Sequence, residues 1–367
     1  MKKLFFPALF LVLFGCVQEP ENEPVLISFP SKRVDTLTGQ NWQVMESRVV
    51  DISTLKTGDP LQLTLDSLPQ GYIDPNPLKI ERAYVEDDML FALLPTSEGR
   101  RVMSIQPNGD VLTYGNVTSG TDLFTSVSDF TVQKNATTLL GGKGRIGTFT
   151  ADGQYEASQN NSIDLASSFI PLGNSYLLYS NAGRNDPPHR LWWISREGEV
   201  LHAALPVDSI LQKVPISGIR FWKTGDLVTF TEVFSNIGYT ITGTEVDTSF
   251  IFDFGEYDYV TDFYQQPFLQ AFKSIRERGF ITLVRYLESP DREVAYFFLE
   301  SEIPGQPIQH TSLFYHRPTQ KQYVLPSSTP YSGGALTVTE NGQWICPKTV
   351  PGPDGDMLAF DFVELGL

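Results

Sequence analysis

The sequence predicts an all-β fold, a single six-bladed β-propeller of four-stranded antiparallel blades, from three observations. Short runs of β-branched and aromatic residues alternate with turns rich in Gly, Asn and Asp, a pattern typical of hairpins and meanders. Turns centred on Gly109, Gly153 and Gly198 follow one another after 44 and 45 residues, the length of one four-stranded blade. No long stretch carries a clean apolar stripe at helical spacing; the nearest approaches are 201–213 and 268–278.

The composition limits the class of protein. The chain has 367 residues, of which 41% are hydrophobic and 19% charged, so it can bury a large core and is not a disordered polymer. Its formal net charge is −16, and the sequence has no cluster of basic residues that could bind along a phosphate backbone. We therefore expect no nucleic-acid partner. The two cysteines, Cys16 and Cys346, cannot by themselves form a disulfide framework or a four-ligand zinc site.

The first four blades follow directly from the strand-forming runs. The predicted strands are 80–84, 89–94, 101–105 and 111–114 in blade 1; 127–132, 137–140, 145–149 and 154–157 in blade 2; 168–172, 175–180, 190–194 and 200–203 in blade 3; and 219–223, 227–234, 239–246 and 249–254 in blade 4. A two-sheet sandwich or two smaller β domains are the alternatives. A sandwich has no reason to repeat at this interval, and no linker interrupts the chain, so we expect one propeller domain over 25–367.

The last two blades are less regular. In blade 5 we expect 268–275 as the inner strand, 280–286 as the next, and 312–316 with 322–325 as the outer hairpin. An additional pair around 290–292 lengthens this unit, so seven blades are the alternative count. Blade 6 contains three predicted strands, 335–339, 343–346 and 357–363. A strand from the N-terminal region, either 44–52 or 61–65, is expected to complete this blade and close the ring.

The N-terminal residues predict that the protein is located in the cell envelope. Lys2 and Lys3 precede an apolar run over 4–14, which is too short to cross a hydrocarbon core of about 30 Å. The run ends in Gly15-Cys16 and resembles the bacterial lipobox, which implies a signal peptide over 1–15 and acylation of Cys16, for example with palmitate. A chance cysteine at the end of an ordinary signal peptide is the alternative. Residues 16–24 are polar and acidic, as expected for a tether.

Several of these features together carry a family resemblance. The segments Ser128-Asp-Phe-x-Val132 and Gly144-Arg-Ile-x-x-Phe-x-x-Asp-Gly153, with the lipobox at Cys16 and the acidic tether, resemble those of six-bladed β-propeller lipoproteins of Bacteroidota, including their largely uncharacterised TolB-like members. The resemblance implies an outer-membrane lipoprotein with a binding or scaffolding role. It leaves open whether the propeller faces the periplasm or the cell surface, and it says nothing about oligomeric state.

Candidate site residues cluster after the fourth blade. Carboxylates and aromatic rings alternate there, and such groups can bind the hydroxyls and the apolar faces of a sugar; Trp222 could line the channel. The candidate ligand-binding residues are Asp253, Glu256, Tyr257, Asp258, Tyr259, Asp262, Tyr264 and Trp222. The alternative is an ordinary strand with buried rings and solvated acids. No cofactor is predicted; Ca²⁺ would suit the oxygen ligands, but no EF-hand-like loop is present.

Motifs for catalysis are absent from the sequence. It contains no HExxH, GxSxG or CxxC, and the four histidines are not paired at metal-binding spacing. We therefore expect a non-enzymatic binding or scaffolding propeller for a glycan, a peptide or a membrane-protein partner. The alternative is a hydrolase or lyase with acids and a histidine across the central channel. Clustered His, Asp, Glu and Arg at the channel would favour the enzyme. A structural role within an outer-membrane complex is a third possibility, for which we expect an exposed apolar face.

Overall fold

The computed structural model describes most of the chain after the predicted tether. The described residues are 24–29, 34–50, 80, 82–96, 99–107, 110–114, 127–133, 136–141, 144–163, 166–180, 188–207, 218–232, 234–259, 266–326, 329–331, 333–352 and 355–367. Cys16 and the predicted signal peptide therefore lie outside the described residues. Among the described residues, no helix is long and apolar enough to cross a membrane.

The described strands form six sheets, each with a four-stranded antiparallel core, and these are the six blades of a propeller. The N-terminal part supplies β1 (Val25–Ser28), β2 (Val34–Thr36) and β3 (Trp42–Val50). Blade 1 is β4 (Arg82–Glu86), β5 (Met89–Thr96), β6 (Gly99–Ile105) and β7 (Val111–Tyr114). Blade 2 is β8 (Val127–Gln133), β9 (Ala136–Gly141), β10 (Arg145–Phe149) and β11 (Tyr155–Asn160).

The remaining blades follow in chain order. Blade 3 is β12 (Ser168–Leu172), β13 (Ser175–Tyr179), β14 (His189–Ser195) and β15 (Val200–Pro206). Blade 4 is β16 (Phe221–Thr224), β17 (Leu227–Thr231), β18 (Ile237–Thr242) and β19 (Glu245–Asp253). Blade 5 is β20 (Phe280–Glu288), β21 (Val294–Glu302), β22 (Gln309–His316) and β23 (Lys321–Val324). Blade 6 is β24 (Thr337–Val338), β25 (Trp344–Gly352), β26 (Gly355–Leu365) and β3. The predicted all-β, six-bladed fold is confirmed.

The strand directions give the ring two distinct faces. We call the face at which the first strand of each blade begins the entrance face; the fourth strand of each blade ends at the same face. The opposite face, the turn face, is where the first and third strands of each blade end. In blade 1, for example, Asp87 and Asp88 join β4 to β5 with both φ angles positive, as a two-residue type I′ turn requires.

The core lies in the gaps between neighbouring blades. Side chains alternate between the two faces of a strand, and each sheet packs both faces on neighbouring sheets. Representative buried pairs, in ring order from the gap between blades 1 and 2, are Phe91 and Phe130, Leu140 and Phe169, Leu177 and Phe230, Phe250 and Phe297, Tyr296 and Trp344, and finally Ile345 and Leu90 between blades 6 and 1. Large apolar surface is thus buried around the whole ring, which is what stabilises a propeller.

The inner strand of blade 5 differs from the prediction. Residues 268–275, predicted as that strand, belong to helix α1 (Phe268–Arg278), and the inner strand is β20. Ala271 and Ile275 are both buried; their spacing of four residues places them on one side of a helix. Gly279, with φ of 94°, ends the helix. The residues around 290–292 form the turn between the first and second strands of blade 5, so the ring has six blades rather than seven.

An N-terminal strand closes the ring, as predicted. Strand β3 pairs antiparallel with β26, from Trp42 opposite Leu365 to Val50 opposite Leu358, and so completes blade 6 in the place predicted for 44–52. The alternative strand, 61–65, lies outside the described residues. Strands β1 and β2 were not predicted; they add in parallel to the outer strands of blades 4 and 5.

Candidate functional site

The most strongly polar part of the interior lies at the axis of the ring. Arg82 begins the first strand of blade 1, and its side chain is 1% exposed. Its guanidinium donates hydrogen bonds to the carbonyl oxygen of Phe221 in blade 4 and, over 3.3 Å, to that of Phe130 in blade 2. It also donates to the hydroxyl of Tyr84. One side chain therefore connects blades 1, 2 and 4 across the centre of the molecule.

Asp129 in blade 2 is the anionic partner of this arginine. Its Oδ1 lies 3.1 Å from Nε of Arg82, and its side chain is fully buried. Asp129 Oδ2 accepts hydrogen bonds from Ser168 Oγ at 2.7 Å and from the backbone N–H of Phe169 at 2.9 Å. The hydroxyl oxygen of Ser168 in turn accepts the backbone N–H of Arg220 at 3.1 Å. The first strands of blades 1 to 3 and the residue before the first strand of blade 4 are joined by this chain of contacts.

Burial raises the pKa of the Asp129 carboxyl, whereas Arg82 and the hydrogen bonds to Phe169 and Ser168 oppose that shift. Moving two charges into the interior carries a large desolvation penalty, which only good geometry and further hydrogen bonds offset. Asp129 has both, since its two oxygens accept three hydrogen bonds besides the ion pair. Removing either partner would leave an uncompensated buried charge.

A second ion pair lies on the same side of the ring. Arg190, near the start of β14, pairs with Glu232, which follows β17; the Glu232 side chain is 5% exposed. Burial raises the pKa of Glu232, and the charges of Arg190 and Arg220 oppose this. Glu232 Oε1 is buried and has no hydrogen-bond partner among the described residues. We call Arg82, Asp129, Ser168, Arg190, Arg220 and Glu232 the axial polar cluster. Arg190 lies on the third strand of blade 3 and Glu232 follows the second strand of blade 4, so these two are further from the axis than Arg82 and Asp129.

The axial polar cluster meets only part of the pattern expected of an enzyme. It contains acids and arginines but no histidine. His189 and His202 lie against Trp192 and Trp193, and the other two histidines, His310 and His316, are in blade 5. Within the described part of the chain, no group of three or more His, Cys, Asp or Glu is placed to hold a metal ion.

The acidic and aromatic segment predicted as a binding site is split between surface and core. Asp253 and Glu256 are exposed where blade 4 ends at the entrance face. Tyr259 is fully buried; its hydroxyl lies 3.3 Å from the carbonyl oxygen of Ser235 and 3.2 Å from Thr282 Oγ1. Its ring therefore packs inside the protein, so a ligand at the surface could reach the two acids but not this ring.

The other predicted site residues have different surroundings. Tyr257 is half-buried and packs against the core between blades 4 and 5. Asp258 accepts a hydrogen bond from Arg278 through its backbone carbonyl oxygen. Trp222 is 5% exposed within the core cluster near the axis, and its Nε1 has no hydrogen-bond partner among the described residues. Asp262 and Tyr264 lie outside the described residues.

Sequence reasoning did not single out Arg82 or Asp129 as site residues. Asp129 lies in the segment that carries the family resemblance, but as one acid in an apolar strand. The available signal is its surroundings, because Asp129 lies in a strand in which Val127 and residues 129–132 are all buried. An acid at a buried position of a strand indicates a paired charge.

Comparisons with known proteins give the fold. No family model matches the chain, and no curated protein matches it. Among solved structures, a "Putative exported protein" from Bacteroides fragilis matches with a TM-score of 0.68 and 11% sequence identity, over 94% of this chain and 100% of that one. At this identity the likeness shows a common fold. It agrees with the predicted resemblance to propellers of Bacteroidota.

Proposed function

We propose that this protein is a cell-envelope lipoprotein whose propeller acts as a non-enzymatic binding or scaffolding module for a glycan, a peptide or a membrane-protein partner. The observation that carries the proposal is the Arg82–Asp129 pair. These groups lie at the axis of the ring, and they bond to each other and to the backbone of blades 2, 3 and 4. This supports a structural role for the axis and leaves the faces for binding.

The envelope location has separate support. The lipobox-like Gly15-Cys16 follows a basic and then an apolar segment, and the structural neighbour from Bacteroides fragilis is described as exported. Acylation with more than one chain holds a protein stably at a membrane, whereas a single chain does so only marginally. The net charge of −16 favours a neutral or basic partner surface over an acidic one.

The candidate binding surface is the end of blade 4 at the entrance face. Asp253 and Glu256 are the exposed acids there. They suit the hydroxyls of a glycan or the basic groups of a peptide, and Ca²⁺ would be a bridging ion of the right chemistry.

Crosslinking in the native envelope tests this proposal. The acylated, tagged protein is crosslinked and purified, and its partners are identified by mass spectrometry. We expect a stoichiometric partner whose yield falls at least several-fold in the double variant Asp253→Asn, Glu256→Gln. The matched control is Glu197→Gln, Glu199→Gln, which makes the same charge change on the turn face of blade 3. Absence of any stoichiometric partner, with and without Ca²⁺, would contradict a scaffolding role.

One observation favours the second candidate, a hydrolase or lyase. Glu232 is a buried acid with a raised pKa and one oxygen without a hydrogen-bond partner among the described residues, features shared by catalytic acids. A panel of glycosides and peptides tests it. Turnover by the wild-type protein that Glu232→Gln abolishes would replace the binding proposal with an enzymatic one.

A further inference from the structure

The N-terminal part of the chain is fixed to the outside of the ring. We call β1, β2 and β3 together the N-terminal strap. Strand β1 pairs in parallel with β19 at the rim of blade 4, from Val25 opposite Phe250 to Ser28 opposite Asp253. Ile27 is fully buried in the core between blades 4 and 5. The backbone position of the first strand is thus set by the rim of one blade.

The tether to the predicted lipid is short compared with the ring. Residues 17–24 separate Cys16 from Val25. Eight residues span at most about 30 Å when fully extended and roughly 16 Å on average when flexible. In a six-membered ring blade 1 lies opposite blade 4. Blade 1 has four strands and blade 4 has five with β1, spaced at about 4.8 Å within each sheet, and together with the gap across the axis they separate the two rims by at least about 40 Å. The tether can therefore bring the rim of blade 4 to a bilayer more easily than the rim of blade 1.

The charge of the blade 4 rim bears on how it meets the lipid. Glu245 and Asp247 are exposed on its outer strand, and Leu26, which is 66% exposed, lies on the strand that covers it. Two acids oppose adsorption to an anionic surface, and a single leucine gives little apolar contact. The covalent lipid, rather than adsorption of the rim, would hold this edge near the membrane.

We infer that the rim of blade 4 is the membrane-proximal edge of the propeller and the rim of blade 1 the distal edge. This inference rests on the proposed function, specifically on acylation of Cys16. A ring held at one rim presents both flat faces sideways. A membrane-embedded partner would then contact blades 3 to 5 first.

Energy transfer from two single-cysteine labels to acceptor lipids tests the orientation. Asp247→Cys labels the rim of blade 4, and Val111→Cys labels the exposed outer strand of blade 1. Cys346 is fully buried and Cys16 carries the lipid, so background labelling is low. With acylated protein in phosphatidylethanolamine vesicles, we expect transfer roughly threefold or more greater from position 247, because about 40 Å separates the rims. Equal transfer, or greater transfer from position 111, would overturn the inference.

Two further variants test whether the strap causes the orientation. Ile27→Asp places a charge in the core contact of β1 and should release this strand, reducing the difference between the rims; the matched control Leu26→Asp changes an exposed neighbour and should preserve it. If Ile27→Asp unfolds the domain, an insertion of about twelve Gly-Ser residues after Pro24 lengthens the tether without altering any described strand, and should also reduce the difference. An undiminished difference with the longer tether would contradict the short connection between Cys16 and β1 as its cause.

The failure of this inference is distinguishable from that of the proposed function. If wild-type protein incorporates no labelled fatty acid, both fail. If it is acylated and floats with vesicles but shows equal transfer from the two rims, only the orientation fails, and the binding proposal stands on its crosslinking test.

Discussion

Replacement of Asp129 by alanine tests the structural role of the axis. The Asp129 side chain is fully buried and forms an ion pair with Arg82 at 3.1 Å. It also accepts hydrogen bonds from Ser168 and from the backbone N–H of Phe169. Its removal leaves a buried guanidinium without its anion, and it leaves three donors without their acceptor: the Ser168 hydroxyl and the backbone N–H groups of Phe130 and Phe169. Breaking a buried pair in this way costs about 3–5 kcal/mol of folding free energy.

Urea unfolding followed by far-UV circular dichroism gives the free energy and the m-value. We expect Asp129→Ala to lower the urea midpoint strongly. The double variant Arg82→Met, Asp129→Leu should recover part of the loss, because apolar groups of similar volume often replace a buried ion pair at little cost.

The matched control is an exposed pair. Lys273 and Glu277 lie 3.9 Å apart with side chains 78% and 68% exposed, so Glu277→Ala should change the free energy of unfolding by no more than about 0.5 kcal/mol. A loss below about 1 kcal/mol for Asp129→Ala, with an unchanged m-value, would refute the reasoning, since the unpaired guanidinium would then not be buried.

Three further predictions concern the interior. Gly334 has a φ of 63°, and a Cβ there would lie 2.7 Å from the Phe298 ring and closer still to the Tyr296 hydroxyl. Gly334→Ala should therefore lower the free energy of unfolding in urea by about 3 kcal/mol. The control Gly342→Ala, where φ is also positive but nothing lies within 4 Å, should lower it by about 1 kcal/mol. Burial raises the pKa of Tyr296 from 10 to about 12, so the free energy of unfolding should decrease as the pH rises between these values. The decrease should be smaller in Tyr296→Phe, and an equal decrease in both proteins would contradict the prediction. The pKa of Glu232 is raised above 4.5, so the wild-type protein loses stability relative to Glu232→Gln as the pH rises from 4.5 through the folded pKa; a difference independent of pH would contradict this.

The strand pattern was predictable from the sequence because hairpins are determined by residues that lie close together in the chain. Runs of period two and turns such as that at Gly153 determined blades 1 to 3 with boundaries close to those observed. In blade 4 the last turn was predicted about four residues too late, because Gly243, which has a φ of 61° and lies in the turn between Thr242 and Glu245, was placed inside the predicted strand 239–246.

Helix α1 was predicted as a strand although Phe268, Ala271, Phe272 and Ile275 stand at i, i+3, i+4 and i+7, the spacing of one helix face. The stripe covers only about two turns, and Leu269, which is 74% exposed, adds a large apolar residue outside it. Strands β1 and β2 are four and three residues long, too short to show any period.

The candidate site was less predictable because its contacts are not local. Arg82 and Asp129 are brought together by the packing of blades 1 and 2, and the reach of Arg82 to Phe221 depends on ring closure. Conversely, the acidic segment after blade 4 has a composition that suggests a site, but burial removes Tyr259 from it. Asp253 and Glu256 are exposed at the entrance face, and their predicted role in ligand binding stays a prediction. The polar centre could be found only from the three-dimensional arrangement.

Incorporation of labelled palmitate tests the central claim of an envelope-anchored propeller most directly, because both proposals start from acylation of Cys16. Wild-type protein and the variant Cys16→Ser are expressed in a bacterial host with a lipoprotein pathway, and label is measured in the purified chains. We expect label in the wild-type protein and none in Cys16→Ser, whose other cysteine, Cys346, is fully buried. Label that persists in Cys16→Ser, or its absence from the wild-type protein, would contradict the account.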